Sequence, residues 1–399
     1  MMAKPGNGPG RKAHLAYFVH DLADATVARR VRMLHAGGMT VTVLGFRRAD
    51  APVKSIDGAT TVDLGLTRDG RLLQRAWAVV RTLLAFGRVR VAIRTADVVM
   101  ARNLEALIVA HHARGQRRLV YECLDIHRTL VGTGLLSRLI QGVERRAMRG
   151  VDLILTSSPR FRDDYFYTRY GHTVPVLLVE NKMLALGPRS VSEVSPKISR
   201  GPPWVIGWFG MLRCARTFEI LSEIARTSEG RIEVLIAGIP SDDVFTDFAA
   251  RAAALPSVRY VGAYRSDMLS ELYAQVHFAW AIDYFEEGLN SVWLMPNRVY
   301  EAIAFGVVPL ALVSVETGQW LNRKGVGIVV DDARTDVPLL FDGLSPAQYD
   351  RYHRAVAALP AKLCRADMSD CKHLVQAILG EDSRAVAAFS GYTTSYRER

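Results

Sequence analysis

Asn297-Arg298-Val299-Tyr300-Glu301-Ala302-Ile303-Ala304-Phe305-Gly306 is the stretch that decides how this 399-residue chain is read. Pro296 precedes it, and an apolar run over 307–313 follows. Proline at a helix start and glycine just past a helix end are the expected punctuation. The spacing predicts a short helix that enters from a loop and leaves into a buried strand. Asn297, Arg298 and Glu301 fall near one face of its first turns, because residues three and four apart are neighbours on a helix. Free N–H groups and the dipole at a helix start attract phosphate. A carboxylate one turn further in accepts both hydroxyls of a ribose. Together these residues describe a seat for a nucleotide diphosphate. A surface helix with a solvated Arg–Glu pair would carry the same letters, so the rest of the chain must decide.

Upstream of that helix the same alternation of apolar strand and helical period occurs twice. In the first half strands are expected at 14–20, 40–46, 60–65, 97–102, 118–125, 152–158 and 175–180. Helices fall between them at 25–36, 72–86, 104–114, 135–148 and 160–170. Residues 186–203 lose periodicity and are dense in Pro, Ser and Gly, as a linker would be. The second half then gives strands at 204–210, 232–238, 258–264, 277–283, 307–313 and 326–331. Its helices read at 218–226, 245–255, 268–275, 297–305 and 319–323, with closing helices at 354–364 and 372–379. Apolar strands alternating with helices mean parallel sheets covered on both faces. The expected fold is α/β: two Rossmann-like, doubly wound domains facing a cleft. The boundaries are 12–185 for the first domain, 186–203 for the linker and 204–365 for the second domain. A closing helix occupies 366–380 and a mobile tail 381–399. Ligands of such sheets bind outside the carboxyl ends of the strands.

Composition sets limits. A chain that is 49% hydrophobic supports two cores. Cys123, Cys214, Cys364 and Cys371 form no metal or redox spacing, which points to a reduced, cytoplasmic environment. The longest uncharged run, 302–315, has 14 residues and contains Gly306 and Pro309. A spanning helix needs ~20 apolar residues. The first apolar stretch stops at His20-Asp21 and reads as a strand, so neither a signal sequence nor a membrane span is expected. Of the net charge of +11, residues 1–180 carry more than all: 28 Lys/Arg against 15 Asp/Glu, whereas residues 181–399 hold 23 against 25. A basic half of this kind seeks phosphate on nucleic acid, anionic lipid or a lipid diphosphate.

Several further groups bear on chemistry. Gly207-Trp208-Phe209-Gly210-Met211-Leu212-Arg213-Cys214-Ala215-Arg216 is expected to form the loop after the first strand of the second domain. Gly207 and Gly210 allow close approach to a ligand, and Arg213 and Arg216 lie within reach of a diphosphate. The pattern is neither the dinucleotide glycine fingerprint nor a Walker loop. Asp283 ends a strand, and Glu286, Glu287, Gly288, Asn290 and Ser291 fill the loop toward Asn297, where acids would meet sugar hydroxyls or only water. In the first domain the strand over 118–125 turns polar at its end, which places Asp125 and His127 to take a proton from an attacking hydroxyl. His20 and Asp21 stand in the same relation to the first strand. For each of these a loop hydrogen bond or helix cap is the alternative, and Asp21 or Asp24 suits a cap. The helix over 72–86 is amphipathic: Leu72, Leu73, Ala76, Trp77, Val80, Leu83 and Leu84 oppose Arg71, Gln74, Arg75, Arg81 and Arg88. It suits an anionic membrane surface, or equally a helix packed on the sheet with its arginines in water.

Taken together, AYFVHDLADATVARRVRMLHAGG, VYECLDIH, ERRAMRGVDLILTSS, GWFGMLR and PNRVYEAIAFGVVPLA resemble a two-Rossmann-domain, GT-B type glycosyltransferase. The resemblance covers nearly the whole chain and is strongest to bacterial exopolysaccharide enzymes that build succinoglycan-like repeat units. It implies that Glu301 binds the nucleotide ribose and that Asn297 and Arg298 lie at the phosphates. Many retaining members carry a second Glu eight residues upstream of this one. Here that position is Trp293, so the upstream acid is missing or displaced, for example to Glu287. Similarity to inverting members, the xanthan glucuronosyltransferase type among them, implies a first-domain carboxylate as base, and by position that is Asp125.

The expected activity is transfer of a hexose, glucose by preference, from a UDP-sugar to a polyprenyl-diphosphate-linked oligosaccharide in exopolysaccharide biosynthesis, with inversion. Gly210, Arg213, Arg216, Asp283, Asn297, Arg298 and Glu301 would hold the donor, and Asp125 and His127 would serve the proton transfer. No metal and no cofactor beyond the donor substrate are expected, since no carboxylate pair is placed to hold a cation at the diphosphate. The first domain would sit at the anionic inner-membrane surface from the cytoplasmic side, without binding nucleic acid. The competing readings are a glucuronosyltransferase on a similar acceptor, a GT-B nucleotide-sugar epimerase, and a non-enzymatic basic membrane- or polyanion-binding protein. An oxidoreductase is disfavoured by the missing glycine fingerprint, and no nucleic-acid-reading motif appears.

Overall fold

A computed structural model describes residues 11–48, 50–67, 72–187 and 201–381. Arg71, most of the expected linker and nearly all of the expected tail therefore lie outside the described residues. The chain divides into two compact units, Met1–Val179 with Asp367–Arg399, and Glu180–Ala366.

The first unit opens with β1 (His14–Val19), α1 (Ala25–Ala36), β2 (Thr40–Arg47), β3 (Ser55–Ile56) and β4 (Ala59–Leu66). It continues through α2 (Leu72–Leu84), α3 (Gly87–Ala92), β5 (Val98–Arg102), α4 (Asn103–Ala113) and β6 (Arg118–Cys123). Then come α5 (Arg128–Val131), α6 (Leu135–Met148), β7 (Leu153–Thr156), α7 (Thr168–Tyr170) and β8 (Val176–Leu178). The strands line up as β3-β4-β2-β1-β5-β6-β7-β8. All neighbours are parallel except the β3–β4 hairpin. Asp57 and Gly58 turn that hairpin at φ 45° and 84°, the positive values that a two-residue turn between strands requires. β1 and β5 are central and buried on both faces, hence their unbroken apolar runs.

In the second unit the chain runs through β9 (Met183–Leu184), β10 (Trp204–Leu212), α8 (Ala215–Thr227), β11 (Ile232–Pro240), α9 (Phe248–Ala253) and β12 (Val258–Tyr260). α10 (Leu269–Tyr273), β13 (Phe278–Trp280), α11 (Asn290–Trp293), α12 (Asn297–Ala304) and β14 (Val308–Leu312) follow. α13 (Glu316–Lys324), β15 (Ile328–Val330), α14 (Ala333–Asp342), α15 (Pro346–Ala357) and β16 (Arg365–Ala366) close the unit. The six-stranded sheet has the order β12-β11-β10-β13-β14-β15 and is parallel throughout. Strand order reverses between β10 and β13, which is the switch point where doubly wound sheets bind ligands. A separate pair, β9 with β16, joins the ends of the unit. The chain then returns to the first unit as α16 (Met368–Leu379), which packs on α1. Gly37 permits this contact: a Cβ there would lie 2.4 Å from the carbonyl oxygen of Cys371.

Several expected elements change. The helix expected at 354–364 is instead α15, started by a capping box in which Ser345 and Gln348 satisfy each other's backbone N–H. α14 was not expected at all, although Asp332 caps it through the N–H groups of Arg334 and Thr335. The helix expected at 160–170 is wound as a π-helix over Phe161–Tyr167. Tyr165 and, just beyond the wide turns, Tyr170 donate hydroxyls to the buried Glu144 of α6 at 2.7 and 2.6 Å. α2 and α6 both carry apolar side chains on their outer surfaces, so α2 is not the sheet-packed helix with only its arginines in water.

A candidate nucleotide site at the switch point of the second unit

The residues expected to form a glycine loop are strand. β10 continues through Leu212, beyond its last contact with β13 at Gly207, and is paired there only with β11. Two facing glycines make this two-stranded extension possible. Gly210 has φ +123° and Gly238 φ +148°, and a Cβ on Gly238 would lie 1.8 Å from the Gly210 carbonyl oxygen. The chain leaves the extension at Arg213 and enters α8, whose Thr217 N–H is accepted by Cys214 Sγ at 3.4 Å. Arg213 and Arg216 therefore stand at the carboxyl end of β10, beside the switch point.

The chain leaving β13 meets them. Tyr284 lies under the Arg216 guanidinium and Phe285 under that of Arg213, each 4.3 Å from the ring centre. Glu287 pairs with Arg216. Both arginines are thus held by aromatic faces and one carboxylate, arrangements to which a planar, weakly hydrated guanidinium is suited. Asp283 Oδ1 accepts the Phe285 N–H at 2.8 Å and turns the chain, while its Oδ2 lies 4.0 Å from Arg298 Nη2. Arg298 also donates from Nη1 to the Trp280 carbonyl at 3.5 Å.

α12 begins at Asn297, where the sequence places it. Pro296, at φ −72° and ψ 149°, is its extended N-cap, and no side chain caps the start. Asn297, Arg298 and Glu301 are half-buried, whereas Val299, Tyr300, Ala302, Ile303 and Ala304 enter the core. Gly306 ends the helix at φ +74°. Glu301 Oε2 accepts a hydrogen bond from the Tyr273 hydroxyl at 3.1 Å. Burial first, and Glu301 second, raise the hydroxyl pKa values of Tyr273 and Tyr264, so both tyrosines stay neutral beside the carboxylate. Tyr300 donates to Glu180 at 3.1 Å, and Asn181 to the Met295 carbonyl at 3.1 Å. These two bonds tie the start of the unit to α12. Nothing in the sequence showed them, because partners so far apart along the chain leave no local pattern.

In the first unit Asp125 is exposed, just beyond the end of β6. His127 is the N-cap of α5: its Nδ1 accepts the Thr129 N–H at 3.3 Å and lies 2.9 Å from Thr129 Oγ1. Burial, then Arg75, lowers its pKa and keeps the ring neutral at pH 7. The switch point of this sheet lies between β1 and β5, one strand away. There Asn103 sits at φ +65° with a buried, unpartnered Oδ1, and the buried Nδ1 of His20 also lacks a partner. A non-glycine residue in that backbone region is strained, and such strain clusters at functional sites. Sequence reading took in His20 but not Asn103.

It also missed Glu122. This carboxylate is fully buried and takes hydrogen bonds from Arg30 Nε at 2.6 Å, Arg102 Nε at 2.7 Å and the Tyr17 hydroxyl. Burial alone would raise its pKa, but Arg102 and Arg30, with hydrogen bonds from Arg102 and Tyr17, outweigh that and hold it down at about 2. Arg102 reaches on to Asp24 at 3.4 Å. Burial likewise works against ionisation of Asp24, but Arg102, His20 and Thr26 bring its pKa below the usual carboxylate value.

No family profile matches the chain. It is 42% identical over 375 residues to the succinoglycan biosynthesis protein ExoL of Rhizobium meliloti, covering 91% of this chain and 92% of that one. Among solved structures it is similar to sucrose-phosphate synthase from Thermosynechococcus elongatus, with TM-score 0.64, 14% identity, and 96% and 99% of the two chains covered. Anabaena HepE, crystallised with UDP and glucose, gives TM-score 0.66 at 17% identity over 93% of this chain and all of its own. These likenesses, with the two parallel sheets, make the fold GT-B. The chain belongs to the family of the succinoglycan biosynthesis protein ExoL, built on the glycosyltransferase fold GT-B.

Proposed function

We propose that this GT-B protein moves a hexose, with glucose preferred, from a UDP-sugar to a polyprenyl-diphosphate-linked oligosaccharide in exopolysaccharide assembly. The observation that supports it best is the meeting of Arg213 and Arg216, just after β10, with Tyr284, Phe285 and Glu287 after β13, where Asp283 lies 4.0 Å from Arg298 at the uncapped start of α12. Gly210, in the β10 extension, is assigned to the same seat. Glu301, one turn into α12 and held by Tyr273, is the ribose ligand of this reading. That HepE was crystallised with UDP-glucose supports the choice of donor.

The acceptor hydroxyl attacks the anomeric carbon as the bond to the diphosphate oxygen breaks, through an oxocarbenium-like transition state. Negative charge develops on the departing UDP. The N–H groups of α12, Arg298, Arg213 and Arg216 oppose it, so the reading needs no metal ion. Arg216 must share its guanidinium between Glu287 and the diphosphate, or release Glu287. Asp125, in the first unit, takes the acceptor proton, and the sugar's configuration inverts. The acceptor is carried on a membrane lipid, and the basic first unit works at an anionic membrane surface. No described helix is long and apolar enough to cross a membrane.

Calorimetric titration with UDP, beside Glu301→Ala, tests the seat. The parent should bind and the variant should not. Transfer of labelled glucose from UDP-glucose to a lipid-extracted acceptor then tests the reaction. A folded parent that ignores UDP would sink the proposal.

A further inference from the structure

α6 turns an apolar stripe away from the unit. It buries Ser137 and Glu144 with Ala147 and Met148, and exposes Leu135, Leu136 and Leu139, at 84%, 55% and 66% of their surface. The buried carboxylate is accommodated by the hydroxyls of Tyr165 and Tyr170. The outer face of α6 carries Arg138, Arg145 and Arg146 beside the leucines, with exposed Arg149 just past its end, and the one acid of the helix is the buried Glu144. α2 also exposes large apolar side chains: Trp77 is 63% and Leu84 79% exposed, with Arg81 next to them. Between residues 72 and 96 there is no Asp or Glu. α4 packs against both α2 and α6, so the two helices flank it on one face of the unit.

We propose that this face is the membrane-docking surface, with an anionic phospholipid bilayer as its occupant. The exposed leucines of α6 and Trp77 and Leu84 of α2 enter the interface between headgroups and acyl chains, and the flanking arginines meet lipid phosphates. Charge complementarity selects lipid over a second copy of the chain, which would set arginine against arginine. The inference deepens the reading of a lipid-carried acceptor and rests on it, but its surface is separate from the donor seat in the second unit.

The test is cosedimentation of the full chain with vesicles of phosphatidylcholine containing about one-third phosphatidylglycerol, and with pure phosphatidylcholine vesicles. The parent should pellet with the anionic vesicles only, and less so at high salt. Leu135→Glu with Leu139→Glu should weaken pelleting at least about tenfold. Both positions are exposed, and circular dichroism with a thermal melt of the variant checks that the first unit is folded. A parent that binds UDP yet stays in the supernatant overturns the proposal, as does a double variant that pellets like the parent. A parent dimer that the double variant dissolves, without vesicle binding, assigns the face to a second copy instead. Vesicle binding without UDP binding would leave docking standing and remove the donor reading.

Discussion

The Tyr273 hydroxyl donates a hydrogen bond to Glu301 at 3.1 Å. Tyr273 is itself fixed, fully buried with Phe305 stacked on it at 5.3 Å and Phe209 edge-on at 5.0 Å. The core thus fixes one oxygen of the carboxylate. Hydrogen bonds to a charged group contribute about 1.5–3 kcal/mol each. Glu301→Ala should therefore lower UDP affinity roughly a hundredfold, and Tyr273→Phe about tenfold through loss of aim alone. Calorimetry on both variants decides, and a Tyr273→Phe protein that binds like the parent would leave Tyr273 a packing residue.

Asp125 and His127 separate in kinetics. Asp125→Asn should lower kcat by about 10²–10⁴ while UDP affinity stays as in the parent. His127 caps α5, so His127→Ala should destabilise by about 1 kcal/mol, and His127→Asn, which keeps a capping side chain, should restore most of that. If both His127 variants slow turnover equally while stability differs, His127 handles the proton as well as the cap.

Legibility follows from what is local. The alternation of strands and helices, the Pro296 start and Gly306 stop of α12, and its buried and half-buried faces are written within one turn of helix or strand. Strand order is not written in that alternation, and it is the adjacency of β10 and β13 that brings Arg213 and Arg216 to the segment after Asp283. What was not legible is contact between distant residues. Glu122 in an apolar strand reads as an oddity until Arg30, Arg102 and Tyr17 are seen around it. The outward leucines of α6 mislead for the same reason, since periodicity shows an apolar stripe but not what it faces. The Asp57-Gly58 turn and the Ser345–Gln348 capping box are different, because both carry local signatures that a closer reading would have found.

Gly238 should not tolerate a side chain. A Cβ there would lie 1.8 Å from the Gly210 carbonyl, and its φ of +148° is unfavourable to L-residues as well. Gly210 has similar backbone strain, at φ +123°, but open space around its Cβ position. Backbone strain alone amounts to about 1–3 kcal/mol. Gly238→Ala should therefore destabilise more than Gly210→Ala and, by prising β11 from β10, weaken UDP binding through displaced Arg213. Paired urea melts and UDP titrations check the order, and equal effects at the two sites would show that steric contact plays no part.

Glu122 ties acid stability to the first unit. Removing its charge leaves buried Arg30 without its carboxylate and Arg102 with Asp24 alone, and breaking such a pair destabilises by about 3–5 kcal/mol. Glu122→Gln should be less stable than the parent by that order at pH 7. The pH dependence has a definite sign. The folded-state pKa, about 2, lies below the ~4.3 of an unfolded glutamate. Its contribution is therefore complete above ~4.3 and is lost as pH falls toward the folded value. The gap between parent and Glu122→Gln in urea should hold from neutral pH down to ~4.3, then narrow by about 2 kcal/mol at a pH near 3. UDP affinity, which the proposed function assigns to the second unit, should be the same in both proteins while they remain folded. A gap that widens in acid would mean that Glu122 is protonated in the native state and that the two arginines are balanced by other groups.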